Sequence, residues 1–164
     1  MGGRVALSFA ARYPDMVSHL VILDSVGLTL PDVPVVNPLT LPPSRFMSGL
    51  VCHPEDYRNL TPYRTLDDAR ELNHGRQVFA RYLGAQGIVP DPELDLSRII
   101  MPTLLVWGRE DRIIPLAYGK ALEKALPQAE LVVFDEVGHL PHIEAPYLTN
   151  QSIRNFLDRH PLVS

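Results

Sequence analysis

The chain has 164 residues, 46% of them apolar and 21% charged, with a formal charge of −4 and a pI near 5.8. That composition belongs to a soluble globular protein with one real core and excludes a disordered chain. Lys and Arg are scattered rather than clustered, which argues against nucleic acid or an anionic membrane as partner, and the single cysteine, Cys52, can form neither an internal disulfide nor a cysteine metal site, which fits a cytoplasmic location.

From Gly2 to Tyr13 the apolar residues Val5, Ala6, Phe9, Ala10 and Tyr13 recur at spacings of three and four. This predicts a helix packed along that face and stopped by Pro14. Met1-Gly2-Gly3-Arg4 thus leads into an amphipathic pattern and not into the apolar core of a signal peptide. The run from His19 to Asp24 is short, apolar and without polar alternation, as expected for a parallel strand covered on both faces. Between Leu28 and Pro43 stand Pro31, Pro34, Pro38, Pro42 and Pro43, too many for a regular element. Thr65, with Asp68 three residues on, signals a helix start. Leu66, Ala69, Leu72, Val78, Phe79, Tyr82 and Leu83 then give one or two amphipathic helices, closed off by Pro90 and Pro92.

Thr103 to Trp107 and Glu130 to Phe134 repeat the buried-strand pattern, and a helix marked by Tyr118, Ala121, Leu122, Ala125 and Leu126 lies between them, ending at Pro127. Ile153, Phe156 and Leu157 mark a closing helix. Strand and helix alternate at both ends of the chain, so the fold class is α/β with a parallel sheet, interrupted by a mostly helical insertion over residues 30–97. The apolar runs are far shorter than the roughly 20 residues that cross a bilayer, so no membrane partner is expected.

Two loops at the carboxyl ends of strands carry chemistry. Open α/β sheets place their ligands at such ends. Asp111 follows the strand ending at Trp107, and His139, 28 residues later, follows the strand ending at Phe134. A carboxylate beside an imidazole fixes its tautomer and stabilises the imidazolium formed when the histidine takes a nucleophile's proton. Asp24, at the end of an earlier strand, is the alternative acid. The plain reading of Asp111 is a turn-capping aspartate between Gly108 and Pro115.

Several residues offer weaker substitutes. Ser25 follows a strand and precedes Gly27 by two positions, but Leu23 stands where a sharp turn wants a small residue, and no helix follows. Ser8 lies mid-helix. Cys52 and His53 are adjacent in sequence and therefore point apart. His139, His142 and Glu144 could suggest a metal, but Pro141 argues against the helical spacing such a site uses, so no metal is expected. His19, His53, His74 and His160 have no supporting company.

Met1-Gly2-Gly3 with Val5-Ala6-Leu7, Ala11-Arg12-Tyr13-Pro14 and Val17 to Leu23, then Pro102 to Pro115 with Trp107-Gly108 and Asp111, then Gly138-His139, resemble the carboxyl-terminal portion of an α/β-hydrolase-fold protein. The resemblance covers residues 1 to about 27 and 98 to 160. It implies a partial α/β-hydrolase core over residues 1–29 and 98–164, a helical lid over residues 30–97, and no cofactor. It also implies that Asp111 and His139 are two members of a triad in the family's order of nucleophile, acid and base. The third, a serine on the elbow Gly-X-Ser-X-Gly, would stand just before Met1, so the chain is expected to be truncated after its nucleophile, with Met1 N as one oxyanion-hole donor. The nucleophile type stays open, because the fold also includes aspartate-nucleophile dehalogenases and epoxide hydrolases. Met-Gly-Gly resembles the serine group.

Trp107-Gly108-Arg109, Asp111-Arg112, Pro115-Leu116 and Gly119 resemble the carbon–carbon hydrolases of aromatic ring cleavage. Those tend to carry Trp where this chain has Leu140 and His142, so that substrate is not adopted. The expected substrate is a small ester, thioester, lactone or related carbonyl compound. The competing expectation is a catalytically inactive, truncated binding or assembly module. Without central strands the segment Leu20 to Leu23 would be a bare apolar edge, to be covered by an amino-terminal segment or a second copy.

Overall fold

The computed structural model describes residues 1–57, 65–83 and 94–162. Its sheet has three parallel strands, β1 (Leu20–Leu23), β2 (Thr103–Gly108) and β3 (Ala129–Phe134), in the order β1-β2-β3. Leu20 pairs with Thr103, and Thr103 with Ala129, so the three carboxyl ends come out at one edge. Parallel neighbours need long crossovers. One is the helix α4 (Leu116–Ala125) between β2 and β3, and the other is the whole segment between β1 and β2.

Only β2 is buried along its entire length, because it alone has a strand on both sides. β1 alternates buried and half-buried residues, and β3 is half-buried except at Phe134. Full coverage of all three strands, expected from their apolar sequences, is thus realised at β2 alone. The core lies on both sides of it. Leu105 and Trp107 pack with Leu7, Ile22, Ile99, Ile113 and Leu122 on one face. Leu104 and Val106 pack with Phe134, Val137 and Phe156 on the other.

Helix α1 (Gly2–Arg12) corrects the sequence reading in an instructive way. Of the expected stripe, Ala10 is buried and Ala6 packs against the core, whereas Val5, Phe9 and Tyr13 are exposed, and Leu7 and Ala11 are buried beside Ala10. The helix is apolar on two faces, and the sheet takes the face with small residues because they permit close approach. Val5 and Phe9 line an apolar groove of about 670 Å³ with Met1, Ala6, Val17 and Leu20. Among the described residues, β1 has no strand partner on its other side.

The proline-rich stretch from Leu28 to Pro42 is irregular, as its composition suggests, and a helix that the sequence reading did not identify follows it. After a 3-10 turn at Pro38–Thr40 the chain forms helix α2 (Pro43–Leu50), with Pro43 in the first turn. Proline is tolerated there because the first N–H groups of a helix have no intrahelical acceptor. Helix α3 (Leu66–Leu83) is a single helix of 18 residues, and it opens with the expected reciprocal cap. Thr65 N donates to Asp68 Oδ2 at 2.8 Å, and Asp68 N to Thr65 Oγ1 at 3.1 Å. Pro90 and Pro92, and the side chains of Ala69, Leu72, Tyr82 and Leu83, lie outside the described residues. The chain closes with the one-turn helix α5 (Pro141–Glu144) and with α6 (Pro146–Arg159), whose Phe156 is fully buried. No described helix is long and apolar enough to cross a membrane.

Candidate functional site

The site is built where the three strand ends meet. β2 runs into Gly108, and a methyl group there would lie 1.9 Å from Gly138 O and 2.3 Å from Val137 O. Only glycine lets the loops after β2 and β3 come this close. Arg109 N donates to Phe134 O at 2.9 Å and Glu110 N to Val137 O at 3.0 Å, which ties the two loops together. Trp107, with no exposure, donates its indole N–H to Ile114 O at 3.0 Å, so the loop folds back over the end of β2.

Asp111 sits in that loop with a fully buried side chain, facing a His139 side chain that is 20% exposed. Its two oxygens have separate tasks. Oδ1 accepts from Ile113 N at 2.7 Å and Ile114 N at 2.9 Å, which is the turn cap, and Oδ2 lies 2.9 Å from His139 Nδ1. The capping and pairing readings of Asp111 are therefore both met by one carboxylate. An ionised carboxylate only accepts, so the hydrogen between them belongs to Nδ1, and Nε2 is left with a free lone pair.

His139 is held from behind. Its N–H donates to Leu50 O at 2.7 Å, and the preceding Gly138 packs so closely that a methyl group would lie 2.8 Å from the same Leu50 O and 3.0 Å from Val51 Cα. Glu144, at the end of α5, completes the clamp by accepting from Cys52 N at 2.6 Å, Gly138 N at 3.0 Å and Leu140 N at 3.2 Å. Sequence reasoning weighed Glu144 only as a metal ligand. It collects N–H groups from the nearby Gly138–Leu140 loop and from the distant Cys52, and the second of these has no local signature. Pro141, taken to oppose a helix, starts the turn that places Glu144.

Asp24, the alternative acid, joins the same cluster. It follows β1 with a left-handed φ of 42°, is 4% exposed, and accepts from Gly108 N at 3.0 Å through Oδ1. Burial first, then the negative charge of Asp111, push its carboxyl up to about 9, against the opposing pull of the Gly108 N–H. Asp24, Asp111 and His139 each present an atom within 4.8 Å of the other two. Within this cluster Asp111 Oδ1 is engaged by two N–H groups and its Oδ2 by His139.

The remaining candidates are placed elsewhere or engaged otherwise. Ser25 is buried, donates to Val26 O at 3.0 Å and abuts Gly3, where a methyl group would lie 2.4 Å from its Oγ. Met1 caps α1, its carbonyl accepting from Arg4 N and Val5 N, and among the described residues it takes no part in the Asp24–Asp111–His139 hydrogen bonds. Its amine is pulled below the ordinary range by burial and by Arg4. The Cys52 thiol is pushed up, by burial first and then by Glu110 and Glu144, which disfavours a thiolate. His53 points to Glu55 at 3.6 Å. His19 donates to or accepts from Ser18 and, through Nε2, meets His160 O at 2.6 Å.

The family model for the alpha/beta hydrolase fold matches residues 53–146, more than half of the chain. A 2-hydroxy-6-oxononadienedioate/2-hydroxy-6-oxononatrienedioate hydrolase of a Pseudomonas species is 32% identical over 97% of this chain and 61% of its own length. Lipase 1 of Psychrobacter immobilis is 29% identical over 88% of this chain and 49% of its own length. Among solved structures, a meta-cleavage product hydrolase of Pseudomonas fluorescens superposes with a TM-score of 0.72 at 20% identity, covering 97% of this chain and 62% of that one. The chain thus spans about half to three-fifths of the length of the relatives it matches.

Proposed function

The chain belongs to the α/β-hydrolase fold family, and from that premise we propose that it carries the acid and base of a serine-type hydrolase acting on esters, thioesters, lactones or related carbonyl compounds. The observation that carries this reading is the 2.9 Å contact from His139 Nδ1 to the buried Oδ2 of Asp111. It leaves His139 Nε2 as a base able to take the nucleophile's proton and return it to the leaving group, while Asp111 holds the tautomer and stabilises the imidazolium. The nucleophile is a serine immediately preceding Met1 in a longer protein, and Met1 N is the adjacent oxyanion donor. The packing of Gly3 on Ser25, next to Asp24, supports this by putting the start of α1 beside the cluster.

Residues 30–97 act as a lid and select the substrate. Support comes from Leu50 O and Cys52 N, which bond respectively to His139 N and Glu144, so the segment reaches the base directly. The lengths of the lipase and ring-cleavage relatives support a further segment packing on the open side of β1 and in the groove beside Phe9. A second reading, a catalytically silent module that binds a partner or another copy through this edge, draws on the same exposed apolar stripe.

Joining the chain to an upstream segment that supplies the elbow serine should restore hydrolysis of a p-nitrophenyl ester. His139→Ala should then lower kcat by about 10⁶-fold. Activity that survives this change would refute the base assignment. The silent-module reading predicts no restoration at all. Covalent labelling of the 164-residue chain alone by a fluorophosphonate would overturn the placement of the nucleophile.

A further inference from the structure

Asp24 has an unsolved hydrogen-bond account. Its Oδ1 is served by Gly108 N, but its Oδ2 is fully buried and among the described residues has no hydrogen-bond partner. A buried carboxylate oxygen without a donor is costly, and a second carboxylate close by makes it worse. The groups facing Asp24 are Asp111 from the loop after β2, His139 from the loop after β3, and Glu144 from α5, and α1 places Gly3 against the neighbouring Ser25. Two of these three are acids. The left-handed backbone at Asp24 fixes the carboxyl in place, since aspartate and asparagine are the non-glycine residues that tolerate this region best.

We propose that Asp24 carries a proton and donates it through Oδ2 to the Asp111 carboxylate, so that the buried pair bears one negative charge and that charge is held toward His139. All four carboxyl oxygens of the pair then have a partner. The burial of Asp24 and the negative charge of Asp111 both favour the protonated form. The consequence for catalysis rests on the reading of Asp111 and His139 as acid and base. A second ionised carboxylate beside the imidazole would favour its charged form, which cannot accept a proton, so a neutral Asp24 carboxyl favours the base. Asp24 is in this sense a positioning residue: it steadies Asp111 and sets the number of charges that His139 meets.

The test is a carbon-13 NMR titration of the aspartate carboxyls in the 164-residue chain, in wild type, Asp24→Asn and Asp111→Asn. One wild-type resonance should titrate well above pH 7, vanish in Asp24→Asn and move to a lower midpoint in Asp111→Asn, where the repelling charge is gone. If every aspartate in the wild type titrates below about pH 5, the ordinary carboxylate range, Asp24 is ionised and the proposal fails. The wild-type and Asp111→Asn titrations decide this even if Asp24→Asn does not fold. Failure of the hydrolase reading shows separately, as ester hydrolysis indifferent to His139→Ala with the high-pH carboxyl still present. In the restored enzyme Asp24→Asn should keep kcat within about threefold of wild type and Asp24→Ala should lose tenfold or more. Equal loss in both would reduce Asp24 to packing.

Discussion

Replacing Asp24 by Asn makes the stability of the protein less sensitive to pH, by an amount the structure specifies. The native carboxyl is raised from 3.8 to about 9, so between these values the folded chain holds a proton that the unfolded chain has released. Folding then takes up a proton. The contribution of Asp24 is most favourable below about pH 4 and declines as pH rises, by about 1.4 kcal/mol per pH unit, until it levels off near pH 9. Asparagine is isosteric, tolerates the same left-handed φ, and keeps a donor toward Asp111 without any titration. From pH 5.5 to 7.5 the wild type should therefore lose about 3 kcal/mol relative to Asp24→Asn. Urea unfolding followed by circular dichroism at both pH values measures it, and taking the difference between the two proteins cancels the other titrating groups. A difference that stays constant within about 0.5 kcal/mol would refute the reasoning, because a buried, proton-holding carboxyl cannot be pH-independent.

Other outcomes follow from the packing of the loops. Gly108→Ala puts a methyl group 1.9 Å from a backbone carbonyl that cannot move without opening the β2–β3 junction, and should cost about 3 kcal/mol or more in urea unfolding. Glu144→Ala leaves Cys52 N, Gly138 N and Leu140 N without their acceptor. A loss of about 1–3 kcal/mol is expected, with faster proteolytic cleavage near Cys52, and Glu144→Gln, which retains one acceptor oxygen, should fall between.

The sheet, its parallel sense and the pairing of Asp111 with His139 were legible in the sequence for definite reasons. Short apolar runs flanked by helical periodicity admit few arrangements, and a loop after each of two neighbouring strands must emerge at the same edge. The Thr65–Asp68 cap was equally legible because its two partners are three residues apart. Local chemistry of this kind is written in adjacent positions.

What only the tertiary structure decided depends on contacts between distant segments. Periodicity showed that α1 is amphipathic but could not say which of its two apolar faces meets the sheet, since that choice turns on how closely Leu7, Ala10 and Ala11 fit against β1 and β2. Proline counts concealed α2 and α5, where the ring occupies a first turn that has no hydrogen bond to lose. Glu144 became a clamp on Cys52 and Asp24 a neighbour of Asp111 only on folding, because these partners lie tens of residues away along the chain and a carboxylate's role is set by the charges and N–H groups that the fold brings to it.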